Sequence, residues 1–160
     1  MKRKIYVETS VISYLTARPS RNVIDAGHQQ STYRFWDGRD QFDLAISDLV
    51  ILECSAGDKA AADARMVALG GLPLLEISAP CVALANGLVS TGIVPRKASE
   101  DALHIAIATI HFMDYLLTWN CRHIANPEIQ ANISDYLRQR GLFLPFICTP
   151  DELIGDTDEQ

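Results

Sequence analysis

An α/β fold built on a central, mostly parallel sheet is predicted by three observations. Short apolar, β-branched runs alternate with helix-length segments along the whole chain, and helix caps or Gly and Pro residues mark nearly every junction. The third is size: 160 residues with 48% hydrophobic and 21% charged side chains suffice for one sizeable core and are short for two. The expected organisation is a single domain over residues 1–154 and an acidic free tail over 155–160.

Lys4 to Glu8 is the first strand, and Thr9 or Ser10 caps a helix through Val11, Ile12, Tyr14 and Leu15 that stops before Pro19. A polar amphipathic helix over Val23 to Trp36 precedes the second strand, Phe42 to Ile46. Ser47 or Asp48 then starts a helix that reaches Gly57, and an alanine-rich helix from Lys59 to Leu69 ends at Gly70 and Gly71. Leu72 to Ile77 is the third strand, which Pro73 confines to a strand start or a sheet edge. Helices follow from Pro80 to Val89 and from an N-cap at Ser99 to Phe112, and Tyr115 to Trp119 is the fourth strand. Pro127 suits the first turn of a helix to Arg140 closed by Gly141, and Phe146 to Cys148 is a last strand. Thr149 and Glu152 have capping-box spacing for one terminal turn.

Composition excludes several classes. The longest uncharged run, Ile77 to Pro95, spans 19 residues but is broken by Pro80, Asn86, Gly87 and Gly92, so no membrane span is expected. Glu8 interrupts the apolar stretch that a secretory signal after the basic start would need, which points to the cytoplasm. Cys54, Cys81, Cys121 and Cys148 are 27, 40 and 27 residues apart with no CxxC pair, as buried reduced thiols would be. No Gly-rich phosphate loop, GxSxG elbow or HExxH is present. The net charge is −6, but five acids fall in the last ten residues and residues 1–150 carry only −1, so net charge does not argue against a nucleic-acid partner.

In a parallel sheet, strand ends and the starts of both the following and the preceding helices lie on one rim, where ligand sites gather. That geometry brings together Glu8 at the end of strand one, Glu53 in the second turn after strand two, Asp101 in the first turn before strand four, and Asn120 at that strand's end. Glu53 sits among Val50, Ile51, Leu52 and Cys54, and a carboxylate in such a stretch requires a partner. No Lys or Arg lies within four residues of it. A hard divalent cation, Mg²⁺ or Mn²⁺, satisfies several clustered oxygens at once.

The opening YVETSVISYL, the motif ILECSAGD, the segment SEDALHIAIA and the stretch MDYLLTWNCRHIAN resemble, in order and spacing, the four acidic regions of PIN-domain proteins of the VapC toxin type, over residues 4–150. The resemblance implies a three-layer α/β/α sandwich and an Mg²⁺- or Mn²⁺-dependent ribonuclease releasing a 5′-phosphate and a 3′-hydroxyl. It also implies a toxin–antitoxin role, inhibition by a cognate antitoxin protein, and a homodimer. The catalytic positions it implies are Glu8, Glu53, Asp101 and Asn120, with Glu8, Glu53 and Asp101 holding the metal. Two positions depart from the pattern: the first acid is usually Asp, so Glu8 is one methylene longer, and Asn120 keeps an oxygen but loses a charge. These departures leave a second reading, a catalytically weakened PIN-like module that binds RNA or protein without cutting.

Arg18, Arg21, Arg96, Lys97 and Arg122 each lie beside one of the motifs and are the candidate contacts to the phosphates of single-stranded RNA. Thr9 and Ser10 fit either metal-bound water or helix capping, and Thr118 reads as a strand residue. His104 shares a helix face with Asp101, which allows an Asp–His pair, but its apolar helix favours a hydrogen-bonded core histidine. Tyr14, Trp36 and Trp119 are possible stacking partners for bases, though core packing suits each better.

Overall fold

A computed structural model describes residues 1–120, 124 and 126–154. Five strands, β1 (Arg3–Val7), β2 (Phe42–Ser47), β3 (Leu74–Leu75), β4 (Tyr115–Leu117) and β5 (Phe146–Cys148), form one sheet in the order β3-β2-β1-β4-β5. Every pairing is parallel, with Ile5 opposite Leu44 on one side and Tyr115 on the other. Helices α1 (Thr9–Thr16) and α2 (Val23–Asp37) connect β1 to β2, and α3 (Asp48–Cys54) and α4 (Lys59–Leu69) connect β2 to β3. The crossover back to β4 holds α5 (Ala79–Ser90) and α6 (Ser99–Ile110), and α7 (Pro127–Arg138) and α8 (Pro150–Leu153) complete the chain.

The predicted α/β class and parallel sheet are observed. β1 is the central strand, and Ile5, Tyr6 and Val7 are fully buried between the helical layers. The chain first builds outward through β2 and β3 and then returns to place β4 on the other flank of β1. The crevice at the carboxyl ends of β1 and β4 is therefore the topological switch point, where ligands bind in open α/β sheets. No helix among the described residues is long and apolar enough to cross a membrane.

Several boundaries differ from expectation for identifiable reasons. Strand one ends at Val7, because Glu8 is the N-cap of α1 and its side chain accepts from the Ser10 amide. β3 is reduced to two residues: it is an edge strand, and Pro73 lends only its carbonyl, which accepts from Ile46 N at 3.0 Å. Ser99 is already helical rather than a cap, since a 3-10 turn at Arg96–Ala98 runs directly into α6 and makes Ala98 the N-cap. α6 stops at Ile110 instead of Phe112, which has φ +54, and Met113 N closes back on Ala108 O at 3.0 Å. β4 stops at Leu117 because side chains capture the next amides: Trp119 N donates to Ser10 Oγ at 2.9 Å and Asn120 N to Thr118 Oγ1 at 2.9 Å. The Thr149–Glu152 capping box and the turn at Gly141, φ +71, are as expected. The tail 155–160 and the candidate contact Arg122 lie outside the described residues.

Candidate active site

Side chains two apart on a strand share a face, so Tyr6 and Glu8 project to the same side of β1. The Tyr6 hydroxyl meets α6 there, 2.7 Å from His104 Nδ1. Glu8 is only 6% exposed. Its Oε2 accepts from Ser10 N at 3.1 Å, from the Ser10 hydroxyl, and from Thr118 Oγ1 at 2.8 Å. These donors come from the first turn of α1 and from the exit of β4, so the carboxylate pins two strand ends together. Thr118 is thus a polar anchor of the rim rather than the strand residue expected. Among the described residues Oε1 of Glu8 accepts no hydrogen bond, which leaves it available to a ligand.

Glu53 enters from the second turn of α3. Its Oε1 accepts from Thr9 Oγ1 at 2.7 Å and lies 2.6 Å from His104 Nε2. Burial pushes its pKa up, but the hydrogen bond and charge of His104 and the bonds from Thr9 and Glu100 outweigh that effect and hold it near 2. Glu53 is therefore a carboxylate at neutral pH. Glu100, exposed in the first turn of α6, takes the opposite shift, raised by its hydrogen bond with Glu53 and by the negative charge of that neighbour. Behind this pair, burial drives the Tyr6 phenol far upward, so it stays protonated and hydrogen-bonds Ser47 Oγ at 2.8 Å.

Ligand atoms of Glu8, Glu53 and His104 all lie within 4.8 Å of one another. Among the described residues no Lys or Arg pairs with either carboxylate. The donor set, two carboxylates close together with no compensating cation, fits a divalent ion. Asp101 stands outside this tightest group; its Oδ1 accepts from Asn120 Nδ2 at 3.2 Å. The four predicted positions thus fall into two linked pairs at one rim, Glu8 with Glu53 and Asp101 with Asn120. Because His104 is three residues after Asp101 on α6, one helix face serves both pairs.

His104 is a buried, hydrogen-bonded histidine as expected, but its carboxylate partner is Glu53, not Asp101. Glu100 was not anticipated. Of the expected cations, Arg18, Arg21, Arg96 and Lys97 are exposed. Arg18 lies in the loop after α1 that Gln29 fastens to α2, through bonds to Arg18 O at 3.0 Å and Ser20 N at 2.9 Å. The aromatic candidates serve packing. Trp119 stacks on His28 at 4.1 Å, lies edge-on to Tyr14 at 5.9 Å and donates to Thr32 Oγ1 at 2.9 Å. Trp36 lies beneath Arg39 at 4.7 Å, next to the start of β2 and so at the opposite end of the sheet. Cys54, Cys81 and Cys148 are free and buried, and burial raises the Cys54 thiol to about 11 and the Cys148 thiol to about 12.

No protein-family model matches the chain, and no curated protein matches it in sequence. In structure it is similar to a chain of VapBC2 from Rickettsia felis, an assembly solved bound to a DNA fragment from its promoter. The TM-score is 0.58 at 16% identity, over 91% of this chain and 98% of that one. At that identity the likeness is one of fold, and the fold is PIN-like.

Proposed function

We propose that this protein is a Mg²⁺- or Mn²⁺-dependent ribonuclease that hydrolyses RNA phosphodiester bonds, and that it is the toxin of a type II toxin–antitoxin pair. In this reading it acts in the cytoplasm as a homodimer and is restrained by a cognate antitoxin. The observation that carries the proposal is the approach of Glu8 and Glu53, without a Lys or Arg partner among the described residues, at the switch point of a PIN-like sheet. The resemblance to a VapBC2 chain supports the toxin role.

Glu8 and Glu53 hold the ion, with Asp101 completing the acidic set. When bound, the ion offsets their mutual repulsion, acidifies water and neutralises charge on the scissile phosphate. Three neutral donors on Glu8 Oε2 orient that carboxylate without cancelling its charge. Glu53 Oε1 is already engaged by Thr9 and His104, so proton acceptance is assigned to Asp101, which Asn120 orients. Arg18, Arg21, Arg96 and Lys97 supply phosphate contacts along the substrate strand.

The test is cleavage of single-stranded RNA by purified protein with Mn²⁺. Activity should vanish with EDTA and fall at least about 100-fold in Glu53→Gln and in Asp101→Asn. RNA binding without cleavage, indifferent to EDTA and to both substitutions, overturns the enzyme reading in favour of a binding module.

A further inference from the structure

The trio Glu8, Glu53 and His104 has the composition of a ligand set made of two carboxylates and one imidazole. The hydrogen bonds behind it argue otherwise. Two atoms that both ligate an ion at about 2.1 Å in octahedral geometry are about 3.0 Å apart, whereas His104 Nε2 and Glu53 Oε1 are separated by 2.6 Å. That distance is a hydrogen bond, and an ion accepting both atoms would have to drive them apart.

The direction of the bond follows from the chemistry of its partners. A carboxylate oxygen accepts, so His104 Nε2 carries the hydrogen of this bond, while Nδ1 on the far side of the ring meets the Tyr6 hydroxyl. The Tyr6 hydroxyl lies 2.7 Å from Nδ1 and 2.8 Å from Ser47 Oγ, so it ties the imidazole to the end of β2. Ser47, Tyr6 and His104 are all completely buried, so water offers none of them an alternative partner. The resulting chain, Ser47 to Tyr6 to His104 to Glu53, ends on the candidate metal-binding carboxylate.

We infer that His104 is a positioning residue rather than a metal ligand: Tyr6 holds its ring through Nδ1, and its Nε2–H clamps Glu53 Oε1 in the orientation that holds the ion. The inference rests on the metal-dependent reading above and assigns the buried imidazole a role within it. Thr9 makes the second clamp on the same oxygen, at 2.7 Å, from the neighbouring helix.

The experiment measures Mn²⁺ binding to the full-length protein by electron paramagnetic resonance, without RNA. Wild type should bind Mn²⁺ with no nitrogen coupling in the spin-echo modulation. His104→Leu should weaken binding roughly 10- to 100-fold, and His104→Gln, which returns an N–H donor near the Nε2 position, should limit the loss to less than about tenfold. Tyr6→Phe preserves ring volume but releases Nδ1 and should weaken binding several-fold; it carries the comparison if His104→Leu fails to fold. Nitrogen coupling that disappears in His104→Gln makes the imidazole a ligand and overturns the inference while leaving the metal reading intact. Wild-type affinity in a folded His104→Leu, or in Tyr6→Phe, overturns it in the same way. Failure of wild type to bind Mn²⁺ removes both the metal reading and this inference.

Discussion

The two ends of the sheet are built on opposite principles. At the carboxyl end, Glu8, Ser47, His104 and Thr118 are buried polar side chains, each held by hydrogen bonds to other side chains of the rim. At the amino end, Phe112, Phe143 and Phe146 are 73, 76 and 77% exposed around the Arg3–Asp114 ion pair, whose atoms are 3.8 Å apart. A fold arranged for stability alone would exchange these: apolar rings gain from burial, and carboxylates lose hydration by it. The carboxyl end therefore holds a cost that packing does not explain, and concentrations of such cost mark sites where a ligand supplies the missing interaction.

The largest effect expected from this contrast is on activity. Glu8→Gln keeps size and some hydrogen bonding but removes the charge, and should lower cleavage of single-stranded RNA at least about 100-fold. Phe143→Ser and Phe146→Ser, at the other end, should leave cleavage within about twofold and stability within about 0.5 kcal/mol. Comparable losses at both ends, in proteins with unchanged melting temperature, would break the contrast.

A second comparison sharpens it by setting two buried threonines against each other. Thr118 Oγ1 donates to Glu8 and accepts from the Asn120 amide, whereas Thr109 Oγ1, buried in α6, has no partner among the described residues. The nearly isosteric Thr118→Val takes one of three donors from the buried Glu8 carboxylate and the acceptor from the Asn120 amide, and should cost about 1–3 kcal/mol. Thr109→Val deletes a hydroxyl that already lacks a partner and should be neutral or stabilise by up to about 1 kcal/mol. Chemical denaturation of both variants in EDTA tests this. Equal destabilisation would mean that rim and helix interior make the same demands.

How much of this was legible beforehand follows the same division. The sheet and its helices were readable because caps and breakers are local: Pro127 opens α7, Thr149 and Glu152 box the start of α8, and Leu69 ends α4 beside two glycines. The end of β4 misled because a distant partner sets it: Trp119 looks like a strand residue until Ser10, more than a hundred residues away, takes its amide. The placement of Glu8, Glu53, Asp101 and Asn120 at one rim followed from strand and helix starts. Which acid faces which neighbour did not, because that depends on helix rotation and not on order. One signal was present: Glu53 in an apolar stretch and His104 in an apolar helix each required a buried partner, and pairing the two satisfies both.

The smallest expected effect lies at the exposed edge of the acidic rim and concerns pH. Glu53, held near 2 against an ordinary 4.5, contributes stability that is present above 4.5 and is lost as pH falls toward 2. Glu100 is raised, first through its hydrogen bond with Glu53 and then through that group's charge, so its contribution has the opposite sense. It is present below the ordinary carboxylate range and is lost as pH rises through the elevated value, where two like charges come to face each other. Glu100→Gln keeps a donor toward Glu53 and never ionises. Metal-free in EDTA, this variant should melt slightly above wild type at pH 7, and the difference should shrink toward zero by pH 4, where wild-type Glu100 carries its own proton. A gap that widens as pH falls would mean that Glu100 supports the fold through contacts other than its bond to Glu53, and that the self-repulsion of the rim does not extend to its exposed edge.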